Sequence, residues 1–156
     1  MASAITAERS VTITRVLDAP RDLVFRLWTE REHMAQWWGP RGFTNPVCEM
    51  DVRVGGAIRI DMRAPDGTVY PMTGTFREIT PPQRLVFEAV AEDHDGNALL
   101  RSLTTVTFAE EGGTTRLTVH AEAVGLSPFA PQMLAGMEAG WTQSLEKLAE
   151  LARASA

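Results

Sequence analysis

Cysteine is almost missing from the 156-residue chain, and Cys48 is the only one. A lone cysteine excludes an internal disulfide and any cysteine-based zinc site. Histidine is nearly as scarce. His33, His94 and His120 stand far apart with no metal-ligand spacing among them, so neither a metal nor another cofactor is expected. There is no basic excess: 15 Lys and Arg face 20 Asp and Glu, for a net charge of −5. Binding to nucleic acid or to an anionic membrane needs a basic surface, so neither partner is expected. No apolar run approaches the roughly 20 residues of a membrane span. The opening residues, MASAITAERS, lack the basic-then-apolar order of a secretory signal. These absences point to a cytoplasmic protein. The chain has the ordinary composition of a globular protein, 44% hydrophobic and 22% charged, and the length of one domain with a real core. With no repeat and no internal linker, one domain over residues 9–156 is expected, after a flexible stretch at 1–8.

The strongest helical pattern is at the end of the chain. Ser127 can cap it, and Pro128 or Pro131 fits its first turn. From Pro131 to Arg153 it would run about 35 Å, with Gly136 and Gly140 as the only breakers. Met133, Met137, Trp141, Ser144, Leu145, Leu148, Leu151 and Ala152 share one face. The first half of that face is methionine and glycine, which leave adaptable space; the second half is leucine, which fills it. The first half is therefore expected to border a pocket and the second to close a core.

Before this helix, residues 9–17 alternate as a strand. Asp18 and Pro20 suit the start of a helix that places Leu23, Val24, Leu27 and Trp28 inward. A second short helix presents Met34, Trp37 and Trp38 and stops at Gly39-Pro40. Six strand-like runs follow: 47–54, 57–63, 69–79, 84–92, 99–108 and 114–123. Turn signals at Gly55-Gly56, Pro65-Asp66-Gly67, Pro81-Pro82 and Asp95-Gly96 separate them, as in an antiparallel meander. Gly74 marks a plausible bulge. A seven-stranded sheet curls under its own twist. The terminal helix is the one long apolar surface available to cover it.

The residues Asp18-Ala19-Pro20, Trp37-Trp38-Gly39-Pro40, Asp51-Val52-Arg53-Val54-Gly55-Gly56, Gly74-Thr75-Phe76-Arg77-Glu78-Ile79, Pro82-Gln83-Arg84-Leu85-Val86 and Gly140-Trp141-Thr142-Gln143-Ser144-Leu145 occur in that order. Together they resemble the bacterial branch of the activator-of-Hsp90-ATPase homologue family, within the START/Bet v1-like (SRPBCC) superfamily. The resemblance covers roughly residues 10–153. It implies an α+β helix-grip fold: a curved seven-stranded antiparallel sheet wrapped around a long C-terminal helix and an internal cavity. Superfamily members bind lipids, hormones or polyketides, and some are cyclases, dehydratases or hydroxylases. The eukaryotic co-chaperone pairs this domain with a separate N-terminal domain, for which a chain of this length has no room. Fold alone does not carry function.

Nucleophilic catalysis has little support. There is no G-x-S-x-G, and Cys48 shares a strand face with Met50 and Val52, as a buried structural cysteine would. His120 is expected to face solvent, His94 to sit in a hairpin, and His33 to lie at the surface near a cavity mouth. Asp51, Arg53, Arg59, Asp61 and Arg63 are expected to pair across strands on a solvated outer face. Glu88, Arg101 and Glu122 could lie on either face. No acid–base pair can be named. The candidate ligand-binding set is Trp28, Trp37, Trp38, Met50, Met62, Tyr70, Met72, Phe76, Phe87, Ser102, Thr104, Met133, Met137 and Trp141. Simple core filling is the plainer reading for any one of them, and the collection carries the argument. The expected partner is a small hydrophobic or amphipathic ligand. Alternatives are a cyclase- or hydrolase-like enzyme acting in the same cavity and an Hsp90-type protein-interaction domain. A partly exposed Trp37-Trp38 corner would also offer a homodimer contact.

Overall fold

Apolar residues at every second position build one antiparallel sheet and leave the helices to cover a single face of it. The computed structural model describes residues 7–93, 95–128 and 130–156. Strand β1 (Ala7–Leu17) leads into α1 (Arg21–Thr29) and α2 (Arg31–Trp37). Six strands follow: β2 (Thr44–Met50), β3 (Ala57–Arg63), β4 (Val69–Thr80), β5 (Arg84–Glu92), β6 (Ala98–Glu111) and β7 (Thr114–Gly125). Helices α3 (Ala130–Ala135) and α4 (Met137–Ser155) end the chain. The sheet order is β1-β7-β6-β5-β4-β3-β2. The meander therefore brings the first strand back beside the last, as in the helix-grip architecture. Among the described residues, no helix is long and apolar enough to cross a membrane.

Several local expectations give way. The terminal helix is not continuous but breaks at Gly136 between α3 and α4. Arg9 on β1 explains where: its guanidinium donates to the carbonyls of Leu134 at 2.8 Å and Ala135 at 3.1 Å, and bonds Glu138 at 3.2 Å. The last carbonyls of α3 are thus satisfied from outside the helix. Asp18 does not cap α1. Pro20 is the N-cap residue instead: its carbonyl accepts from Val24, and no side chain caps the helix. The run 47–54 is also displaced, because β2 ends at Met50. Beyond it, Gly55 N–H and Gly56 O bond Phe76 of β4 across the turn.

The bulge on β4 falls between Phe76 and Glu78 rather than at Gly74. Gly74 serves another purpose. A Cβ there would lie 2.2 Å from the carbonyl oxygen of Glu88, so the neighbouring strand approaches closer than any side chain allows.

The core lies between the sheet and the helices. Trp28 and Trp37 are fully buried beside Leu17, Val24, Leu27, Ile60, Leu85, Val106, Leu117, Leu145 and Leu148. Phe25, absent from the expected inner face of α1, is buried too and meets Phe108 edge-on at 5.2 Å. The Trp37 indole donates to the Leu27 carbonyl at 2.9 Å, which satisfies its one polar group inside the core. Trp38 is 8% exposed. The tryptophan corner is therefore buried, and the exposed patch on which a dimer contact was expected is not there.

Candidate functional site

Register decides where the space under the helices opens. One row of inward residues across five strands reads Ile79, Leu85, Val106, Val119 and Ile13. The next reads Phe76, Phe87, Thr104, Ala121 and Val11. The third reads Gly74, Ala89, Ser102 and Ala123 before it meets Arg9. Side-chain volume falls from row to row, and close packing fails where neither sheet nor helix supplies bulk. A cavity of about 440 Å³ fills that gap, within the range of about 300–1,000 Å³ usual for small-molecule sites.

The sequence candidates divide around this cavity. Trp38, Met62, Tyr70, Met72, Phe87, Ser102, Thr104, Met133, Met137 and Trp141 line it. Trp28, Trp37, Met50 and Phe76 do not. Trp28, Met50 and Phe76 surround a separate gap of about 10 Å³, and Trp37 packs wholly in the core. These four lost their places because helical or strand periodicity marks a residue as inward without saying whether it meets protein or space. The lining also includes Gly136 and Gly140, which the sequence placed on the pocket half of the terminal segment, and residues outside the candidate set: Gly39, Pro40, Phe43, Ala89, Ala91, Leu99, Leu100, Ala121, Ala123 and Ser144. The alanines carried no signal of their own in the sequence; only the register shows that Ala89 of β5 and Ala123 of β7 flank Ser102.

The two halves of the terminal segment behave differently, as expected. Met133, Gly136, Met137, Gly140, Trp141 and Ser144 line the cavity, whereas Leu145, Leu148 and Ala152 have no exposed surface. Trp141 is the boundary. Its ring stacks on Trp28 at 6.3 Å and meets Trp38 edge-on at 5.5 Å. Gly140 is not required by a close approach of the sheet, because a Cβ there would make an ordinary 3.6 Å contact with Pro40.

The wall formed by Trp38, Gly39 and Pro40 is pinned from both sides. Asn45 donates to the carbonyls of Ala35 and Trp38, both at 2.9 Å. Gln143 accepts from the Arg41 backbone N–H at 3.0 Å, and Lys147 donates to the Pro40 carbonyl at 3.3 Å. Burial and the nearby Arg41 push the Lys147 ammonium below its ordinary pKa. Arg41 reaches on to Glu150 at 2.7 Å. Gly39 adopts a φ of +91°, which turns the chain sharply after Trp38 without steric cost.

The ionisable groups lie elsewhere. Among the described residues, Tyr70 is the only titratable side chain lining the cavity. Arg53 pairs with Asp51 at 2.6 Å and Arg59 with Asp61 at 3.5 Å. Those pairs form within each stretch instead of across strands. Glu88 bonds Arg77 at 2.6 Å on the outer face, and Arg101 is exposed. His120 also faces outward, between Thr12 at 2.7 Å and Glu122 at 3.1 Å. His33 stands 3.2 Å from Glu30, and His94 lies outside the described residues. Cys48 is half-buried rather than buried, and burial raises its thiol pKa to about 11. Among the described residues, no group of three or more His, Cys, Asp or Glu could hold a metal ion.

A curved antiparallel sheet that grips a helix above an apolar cavity defines a START/Bet v1-like protein, a fold that commonly binds ligands in that cavity. The chain belongs to the family of activator of Hsp90 ATPase homolog 1-like proteins, whose model matches residues 18–153. Among curated proteins none matches the sequence. Solved structures do. An uncharacterised protein from Rhizobium leguminosarum is 27% identical, with a TM-score of 0.81 over 94% of this chain and 95% of that one. A protein from Chromobacterium violaceum is 29% identical, with a TM-score of 0.77 over 92% and 96%. A family member from Silicibacter pomeroyi is 24% identical, with a TM-score of 0.78 over 95% and 100%, and that likeness supports the fold alone.

Proposed function

We propose that the chain binds an apolar or amphipathic small molecule in the cavity between the sheet and the α3–α4 segment, without transforming it. One observation carries this reading: about 440 Å³ of space is lined by aromatic, methionine, alanine, leucine and hydroxyl-bearing side chains, and among the described residues no carboxylate, imidazole, ammonium or guanidinium lines it. General acid–base chemistry is best served by a positioned group whose pKa lies near the operating pH, most often His, Asp or Glu. Among the described residues lining the cavity Tyr70 is the one titratable group, which weighs against a cyclase- or hydrolase-like activity. The single core supports reading residues 9–156 as one domain, and the lone free cysteine fits a cytoplasmic setting. Native mass spectrometry of the purified chain, followed by solvent extraction, tests the proposal. A copurifying apolar molecule displaced by Ala89→Leu supports it. Turnover of an added ligand that disappears on Tyr70→Phe would overturn it in favour of an enzyme.

A further inference from the structure

We infer that Ser102 and Thr104 form an orienting subsite for the neutral hydrogen-bonding group, a carbonyl or hydroxyl, of an otherwise apolar ring-bearing ligand. The inference rests on the cavity-binding reading above. Both residues point inward from β6 into the cavity. In register, Ser102 sits between Ala89 and Ala123, and Thr104 between Phe87 and Ala121. The floor is therefore small and apolar except at two adjacent hydroxyls. Neither hydroxyl has a hydrogen-bond partner among the described residues. The cavity's other aliphatic hydroxyl is committed, since Ser144 Oγ donates to the Gly140 carbonyl at 3.0 Å.

Charge complementarity sets the ligand class. The nearest cation in register is Arg9, opposite Ala123 on β1. Its guanidinium is taken up by Leu134 O, Ala135 O and Glu138. A carboxylate lying on the floor would be buried without a counter-charge, which costs far more than a hydroxyl contact returns. A ketone or alcohol is not so penalised, because Ser102 and Thr104 can donate or accept. The Trp38 and Trp141 rings, 5.5 Å apart at their centroids, provide aromatic walls suited to a ring.

The test uses three probes of one shape on the full chain, measured by equilibrium dialysis: 2-acetylnaphthalene, its apolar analogue 2-isopropenylnaphthalene, and 2-naphthoate. One buried neutral hydrogen bond predicts that the ketone binds about 3- to 10-fold tighter than the apolar analogue. The carboxylate should bind at least about tenfold more weakly than the ketone. Ser102→Ala/Thr104→Val keeps shape and removes the hydroxyls. It should erase or reverse the preference for the ketone, because the carbonyl is then buried without a donor. Ser102→Ala alone gives a second variant with a smaller perturbation, and the three-probe comparison on the unaltered chain needs no variant. If naphthoate binds as well as the ketone, or the ketone preference survives loss of both hydroxyls, the subsite is overturned while cavity binding stands. If no probe binds the unaltered chain, both fail together.

Discussion

One end of the molecule is filled and the other is hollow, although the same sheet and the same terminal segment build both. At the filled end, Leu145 and Leu148 join a core that includes Leu85, Val106 and Val119. Four residues further along each strand, about 13 Å away at about 3.3 Å per residue, the inward positions become Ala89, Ser102 and Ala123. The helical side changes in parallel, from leucine to Met133, Met137 and glycine. The comparison teaches that this cavity is a pattern of side-chain size laid over an unbroken backbone frame. No insertion or missing element is needed to make it.

Substitutions that exchange the character of the two ends should break the contrast. The largest effect is expected at the filled end. Leu145→Ala or Leu148→Ala should each lower unfolding free energy by about 2–5 kcal/mol in urea titrations, because both side chains leave cavities in a closed core. Overpacking should follow. Val119→Phe has no room and should cost about 1–3 kcal/mol. Ala123→Leu, projecting into open space, should cost less than about 1 kcal/mol while blocking uptake of 2-acetylnaphthalene. Equal losses from those two changes would mean that the hollow end is as tightly packed as the other.

Smaller effects probe the roof and the closed side. Arg9→Ala removes hydrogen bonds to the final carbonyls of α3, and a loss of about 1 kcal/mol is expected, with faster proteolytic cleavage near Gly136. Met137→Ala should cost still less, below about 1 kcal/mol by comparison with fully buried truncations, and should chiefly alter probe affinity. Last, Cys48 reports on closure beside α2. Burial raises its thiol pKa from 9.0 to about 11, so the folded state retains this proton when the unfolded state has lost it. The associated stability is complete below pH 9 and is lost as pH rises from about 9 to about 11. Alkylation by iodoacetamide should show the same upward displacement. A midpoint near 9 in the folded protein would show that the thiol is open to water.

Much of the frame was legible because its signals are local. Alternation and Gly- or Pro-containing turns place seven strands, and helical spacing separates the leucine half of the terminal segment from the methionine half. The site was less legible where it depends on register. Trp28 and Trp38 both read as inward aromatics, yet only Trp38 borders the cavity, because Trp141 stacks over Trp28 and seals it off. Ala89 and Ala123 are inconspicuous in the sequence, being 34 positions apart. They gain meaning only when β5, β6 and β7 align. The break at Gly136 was visible as a weak point, but Arg9, far away on β1, supplies the hydrogen bonds that mark it.

That anchor also bears on the order in which the molecule can assemble. Arg9 and Leu134 are separated by 125 positions, and β1 finds its sheet partner only in β7. Contacts so distant in sequence carry a large loop-closure cost and form slowly. During synthesis, the central hairpins from β2 to β6 can pair as they emerge, while β1 must wait with an unpaired edge. The cavity roof is therefore fastened only after almost the whole chain is available, and a shortened chain that ends before α3 would present its hollow face to water.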